Sequence, residues 1–396
     1  MSYGIKSPAR YMQGNGELAN LGRNVKKMGE KFLVLCSPNN LKRVGAQIEE
    51  SLKSVEKEVV FCEFNGECTK AEITRVMDVV TENNCDVVIG VGGGKVIDTA
   101  KAVVTNLGGY QLVIIPTVAS NDSPCSGVAV IYNDEGVVIK ALMMKRNPDL
   151  VLVDTAVIAK SPKRLLVAGM GDALATWFEA RACKASGVKT MARGQCSNTA
   201  LMMSKLCYDI LIRDGVAALE ALEAKEANDA LDNVVEACIY LSGVGFESGG
   251  LAAAHAINDG FAYVPQAHGM YHGEKVAFGT LAQLVLEHAP EEEMNQVLSF
   301  MKQVGLPMTL ADLGITDVKE EEIRKVAEAA VVPTQSTKNL RKDITADEVY
   351  AAIMEADKIG AAFKALDFLH RITDGRESYG NCIQPQRGIS SENQTG

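Results

Sequence analysis

The chain has 396 residues, 47% hydrophobic and 23% charged, the balance of an ordinary globular protein with a large core and, at about 100–200 residues each, two domains. A formal net charge of −10 and the lack of any basic cluster argue against a nucleic-acid partner. The stretch 1–14 lacks the apolar core of a signal peptide, no apolar run suits a bilayer, and the ten cysteines form no C-x-x-C pair; a cytoplasmic chain with reduced thiols and no membrane partner is expected.

Residues 1–160 alternate buried strands with helices. Apolar, β-branched runs predict strands at 31–37, 56–64, 85–92, 111–117 and 149–155, and amphipathic patterns predict helices at 41–55, 70–84 and 95–107. Such alternation implies a parallel sheet covered on both faces. The segment 127–144 differs, because an Asn-Asp-Glu-Gly turn between two apolar runs predicts a β-hairpin. From Lys163 the texture becomes rich in Ala, Leu, Met and Glu, so 161–375 is expected to be a helical domain. Residues 376–396 carry too few apolar groups to pack and read as a flexible tail.

Gly92, Gly93 and Gly94 separate a buried strand from a helix. Backbone without side chains at a helix N-terminus lets amides approach a phosphate closely. Neither G-x-G-x-x-G nor the P-loop pattern fits, since Lys95 takes the last glycine position of the first and Val96 follows Lys95 in the second. A tight strand–helix turn would look similar; a dinucleotide pyrophosphate at the carboxyl end of a parallel strand is the better reading. The next loop carries Thr117, Ser120, Asn121, Asp122, Ser123 and Ser126, side chains suited to ribose, amide or substrate hydroxyls and equally to solvent.

Of five histidines, His255, His268 and His272 fall within one stretch, which makes it a candidate metal or proton-transfer site. His268 and His272, four apart, would share a face of a helix, although Pro265 and Gly269 weaken that helix. Asp172 could add a third ligand or simply cap the start of its helix.

The segments GVGGGKVIDTAKAVV, PTVASNDSPCSGVAVIY, GMGDALATWFEARAC, LSGVGFESGGLAAAHAI and YHGEKVAFGTLAQLVLE together closely resemble the metal-dependent (iron-containing, group III) alcohol dehydrogenases of the glycerol dehydrogenase type, in unbroken order from about residue 5 to about residue 360. The resemblance implies an α/β dinucleotide-binding domain with a parallel sheet over 1–160, an all-α domain of dehydroquinate synthase-like architecture, and a catalytic metal held by Asp172, His255 and His272, with His268 not a ligand. It places Gly93, Gly94, Lys95, Asp98, Thr117, Ser120, Ser126, Val128 and Tyr132 around the cofactor, Asp122 against the polyol and Phe246 beside the nicotinamide. It implies a homo-oligomer, an octamer in many members.

Three positions depart from the family pattern. Ser37 stands where an Asp usually takes the adenosine ribose hydroxyls, so NAD is expected with NADP less strictly excluded. Asn258, just before Asp259, stands where relatives carry a second His, and TQSTKNL at 334–340 replaces a downstream TIHN. Zinc suits a His₂–carboxylate set, with iron as the second choice. Such an ion would act as a Lewis acid on a hydroxyl of a small diol while the nicotinamide takes hydride from the carbinol carbon. The alternatives are a lyase of the dehydroquinate synthase type, which would need basic residues that this cleft sequence lacks, a related alcohol or hydroxy-acid dehydrogenase preferring NADP, and a non-enzymatic scaffold.

Overall fold

The computed structural model describes residues 2–373, with side chains to 366. The tail expected at 376–396 lies outside the described residues. Strand β1 (Tyr11–Gly14) and helix α1 (Leu21–Val25) precede the alternating segment of β2 (Lys31–Cys36), α2 (Pro38–Lys53), β3 (Glu58–Glu63), α3 (Lys70–Glu82), β4 (Val87–Gly92), α4 (Gly94–Leu107) and β5 (Gln111–Pro116). Then come the hairpin β6 (Val128–Tyr132) and β7 (Val138–Met143), strand β8 (Leu150–Asp154) and the short α5 (Thr155–Ile158). The rest is helical: α6 (Lys163–Ser186), α7 (Asn198–Ala224), α8 (Asp229–Glu236), α9 (Ser242–Gly249), α10 (Ala253–Gly260), α11 (His272–Leu286), α12 (Glu291–Val304), α13 (Glu320–Ala330) and α14 (Ala346–Thr373).

Six strands pair in the order β1-β8-β5-β4-β2-β3, all parallel. Every predicted strand and helix of this half is present, and so is the hairpin. The exception is β1: YMQG is too short and polar to read as a strand, yet it pairs with β8 in the register Tyr11↔Val151. Tertiary pairing there overrides weak local preference.

Alternate residues of each strand face opposite cores. Val34, Ile89, Val113 and Leu152 pack with Leu18, Leu21, Val44 and Ile48 under α1 and α2. Leu33, Val88, Ile114 and Val151 belong to a second core, which continues without a break through Phe178, Leu211, Phe278 and Ile353 of the helical half. No helix among the described residues is long and apolar enough to cross a membrane. All nine cysteines described are buried and unpaired.

The chain leaves β2 toward β3 on one side and β4 toward β5 on the other. The crevice between adjacent strands whose connections diverge is where open α/β sheets bind ligands. Ser37 follows β2 and Gly93 follows β4 at this point, and the loop 117–127 follows β5.

Candidate metal and dinucleotide site

Two expectations about the ligands change. Asp172 is no helix cap: it lies well inside α6, and its side chain is buried. An aspartate in that position costs stability unless it has a task. His268 and His272 share no helix, since His268 follows a 3₁₀ turn at Pro265–Ala267 while His272 opens α11. Pro265 at the start of that turn and Gly269 between the two histidines break the helical spacing. His268 is exposed and sits 3.0 Å through Nε2 from the Ala262 carbonyl.

Helices α6, α10 and α11 bring three donor atoms together. Asp172 Oδ1 lies 3.4 Å from His255 Nε2 and 3.2 Å from His272 Nε2, and all three sit within 4.8 Å of one another. Ligand atoms about 2.0–2.2 Å from a tetrahedral ion are separated by about 3.3–3.6 Å, so the set fits a zinc-sized ion. Oδ1 is buried and accepts no hydrogen bond, whereas Oδ2 accepts the Asp122 amide at 3.2 Å. Burial alone would raise the Asp172 carboxyl, but His272 and His255 hold it well below the usual carboxylate range.

The approach of these helices depends on glycine. A Cβ on Gly273 would come 1.8 Å from the Ala168 carbonyl, and one on Gly171 would come 2.4 Å from the Gly273 carbonyl, so α11 rests on α6 backbone to backbone. Buried Glu274 accepts from the Tyr271 amide at 2.7 Å and from Arg164 Nε of α6 at 2.6 Å. The first turn of α11, and His272 with it, is thereby tied to α6.

Sequence reasoning missed the group behind His255. Glu179 Oε2 lies 2.6 Å from His255 Nδ1, while Oε1 accepts the backbone amides of Ala252 and His255 at 2.8 and 3.0 Å. A carboxylate against Nδ1 holds a proton there, so that it is Nε2, facing Asp172, that would give up its proton to bind an ion. Burial opposes protonation of His255, but Glu179 and Asp172 outweigh it and raise its pKa well above 6.5. Positions 172, 176 and 179 fall at i, i+4 and i+7 in the buried middle of the helix, which was the available signal. His272 is the open side of the set, its side chain 44% exposed against 12% for His255.

Asp122 enters this site by its backbone bond to Asp172. Its Oδ2 accepts from Ser242 Oγ at 2.8 Å, and Ser242 in turn lies 2.9 Å from Thr176 Oγ1. Burial, then the charge of Asp172, push the Asp122 carboxyl well above its usual range. Phe246, buried, lies one turn beyond Ser242 on α9.

On the α/β side, Gly93 caps α4, and a Cβ on Gly94 would come 3.0 Å from Asn121 Nδ2, so the glycine turn and the 117–127 loop share one wall. Thr117 donates its amide to the Gly92 carbonyl at 3.1 Å. Gly169 of α6 meets the same loop, where a Cβ would come 1.9 Å from the Ala119 carbonyl beside Ser120. Lys95 is paired with Glu67 at 2.5 Å and lies over the Tyr132 ring. The oxygens of Asp98 accept from Ser123 Oγ at 3.0 Å and the Val130 amide at 3.1 Å, so Asp98 bears on this wall through the loop and the hairpin. Ser126 and Val128 both contact Lys101, a fully buried lysine that the sequence reading passed over. Ser37 caps α2 by accepting the Asn40 amide at 3.4 Å.

The family model for iron-containing alcohol dehydrogenases matches residues 8–155. The chain is 47% identical to the glycerol dehydrogenase of Escherichia coli O6:H1 over 91% of its own length and 98% of that protein. It therefore belongs to the iron-containing alcohol dehydrogenase family. Within that family, the crystal structure of the Schizosaccharomyces pombe glycerol dehydrogenase is similar at a TM-score of 0.89 and 34% identity, covering 95% of this chain and 94% of that one. A glycolaldehyde reductase of Halobacterium salinarum is 38% identical over 90% of this chain and 97% of its own.

Proposed function

We propose that this chain is a metal-dependent, NAD-linked dehydrogenase of small vicinal diols, with glycerol and dihydroxyacetone as the favoured pair. The observation that carries the reading is the unpartnered, buried Asp172 Oδ1, which faces two imidazole nitrogens and neighbours the Asp122 carboxyl at the mouth of a sheet crevice. Asp172, His255 and His272 would hold a divalent ion, zinc first and iron second, whose chemistry is Lewis acidity toward a substrate hydroxyl. NAD would supply the hydride acceptor, lying across the Gly93–Gly94 turn, Lys95 and Thr117, with Ser120, Ser126, Val128 and Tyr132 beside it and Ser37 toward the ribose.

The chain's own groups do the positioning. Asp122 orients the diol through a hydroxyl, and the Ser242–Thr176 hydrogen bonds hold Asp122 at one setting. Phe246 excludes water from the nicotinamide side. The glycerol dehydrogenase relatives favour oxidation of a polyol over the lyase reading, and a cytoplasmic homo-oligomer, an octamer by resemblance, completes the proposal.

A panel of glycerol, 1,2-propanediol, ethanol, glycolaldehyde and a 2-hydroxy acid, assayed with both cofactors, tests it. Glycerol or 1,2-propanediol should exceed ethanol in kcat/KM, because one hydroxyl makes fewer contacts than two. Equal turnover of ethanol and the diols contradicts the reading.

A further inference from the structure

Lys101 of α4 has no exposed surface. Its Nζ lies 2.5 Å from the Ser123 carbonyl, 2.7 Å from the Val128 carbonyl, 3.1 Å from Ser126 Oγ and 3.2 Å from Ser123 Oγ. An ammonium has three N–H groups, and here all of them point at one loop. Ser126 Oγ donates onward to the Ser123 carbonyl at 3.2 Å, and Ser123 Oγ donates to Asp98, which closes the network. The nearest carboxylate to the ammonium, Asp98 Oδ1, is 3.9 Å away.

Glu247 of α9 grips the same loop from the helical half. Its Oε2 accepts the Gly127 amide at 3.1 Å and Asn147 Nδ2 at 2.5 Å, and its Oε1 pairs with Lys6 at 3.0 Å. Asn147 also donates to the Cys125 carbonyl at 3.0 Å. Every backbone polar group from Ser123 to Val128 named here is therefore held by a buried side chain of fixed length.

We infer that Lys101 is a positioning residue that sets the distance between the diol-orienting carboxyl of Asp122 and the nicotinamide seat at Ser126 and Val128. The inference rests on the proposed roles of Asp122, Ser126 and Val128. Ser123, the first contact of Lys101, directly follows Asp122, and its last, Val128, starts the hairpin. Without the ammonium, the Val128 carbonyl would lose this donor in a dry pocket and the Ser123 carbonyl would keep only the amide and hydroxyl of Ser126, so the loop would open to hydrate the freed oxygen. Such opening displaces diol and cofactor contacts together while leaving Asp172, His255 and His272 in place.

The test compares the full-length protein with Lys101→Met, which keeps the stem and removes the charge. In the folded variant, KM for glycerol and for NAD should both rise, and kcat/KM for glycerol should fall at least about tenfold, the effect of stranding one or more buried acceptors. Bound metal should stay at the unmodified level. A variant with a lower melting temperature and unchanged KM values would overturn the inference, because Lys101 would then serve stability alone. Hydrogen exchange on the unmodified protein decides the matter should Lys101→Met fail to fold. The amides of Ser126 and Gly127 should exchange as slowly without NAD as the core amides of α4. Protection that appears only on adding NAD would mean that the cofactor, not Lys101, sets the loop. These exchange and metal readings stand even if the unmodified protein does not turn over glycerol, which would count against the proposed function instead.

Discussion

Glu179, fully buried, sets its Oε2 2.6 Å from Nδ1 of His255, whose side chain is only 12% exposed. That contact decides which imidazole nitrogen carries the proton. Glu179→Gln keeps the shape and removes the charge, so His255 becomes a weaker and less well oriented ligand. Metal affinity, measured by competition with a chromogenic chelator, should fall by about 10–100-fold. An unchanged affinity would remove Glu179 from the site.

Gly273 and His268 make a contrasting pair. A methyl group at position 273 cannot coexist with the Ala168 carbonyl at 1.8 Å, so Gly273→Ala should push α11 from α6 and draw His272 away from Asp172. Overpacking of this kind costs about 1–3 kcal/mol in stability, and metal content should drop with it. His268→Ala, at an exposed position, should retain metal and activity. Stoichiometric loss of metal on changing His268 would reassign the ligands.

Glu72 offers a pH signature remote from the site. Burial would raise its carboxyl, but Arg75 and the Asn65 amide outweigh that and hold it below 4.5. A depressed carboxylate stabilises the fold fully above its unfolded pKa, and the contribution disappears as pH falls through the folded value. The melting-temperature gap between the unmodified protein and Glu72→Gln, both stripped of metal, should be widest above pH 4.5 and narrow below it. A gap independent of pH would mean that the ion pair contributes nothing.

Ser37 caps α2 with its hydroxyl at the end of β2, beside the glycine turn. Arg43 is held nearby, on Asn40 Oδ1 at 3.3 Å and the Val157 carbonyl at 3.2 Å. An aspartate could cap equally well and would also repel a 2′-phosphate, by about 4 kcal/mol at 4 Å and an effective dielectric near 20, before screening. Ser37→Asp should raise the NAD:NADP ratio of kcat/KM at least about tenfold. An unchanged ratio would separate Ser37 from the ribose.

The α/β half was legible because its signals are local. Buried strands at 87–92 and 111–116 are continuous apolar runs, and α2 and α3 have a clear helical period. YMQG was not legible, since its strand identity comes from pairing with β8. In the helical half, α6 is buried nearly all round, so no period marked Asp172 as interior rather than a cap. The metal set itself came from resemblance, because helical spacing had favoured the pair His268 and His272. Lys101 and Glu247 stayed hidden for another reason: a charged residue on a helix reads as solvated until its partners, 22 to 27 and 100 to 241 positions away, are known.

The most direct test of the account is a titration of metal-stripped protein with Zn²⁺, following NADH formation from glycerol. Activity should be absent at the start, rise linearly and break at one equivalent per chain, and the same titration of His272→Ala should stay flat. Full glycerol oxidation by the stripped protein, or an unchanged titration of His272→Ala, would contradict a metal site at Asp172, His255 and His272.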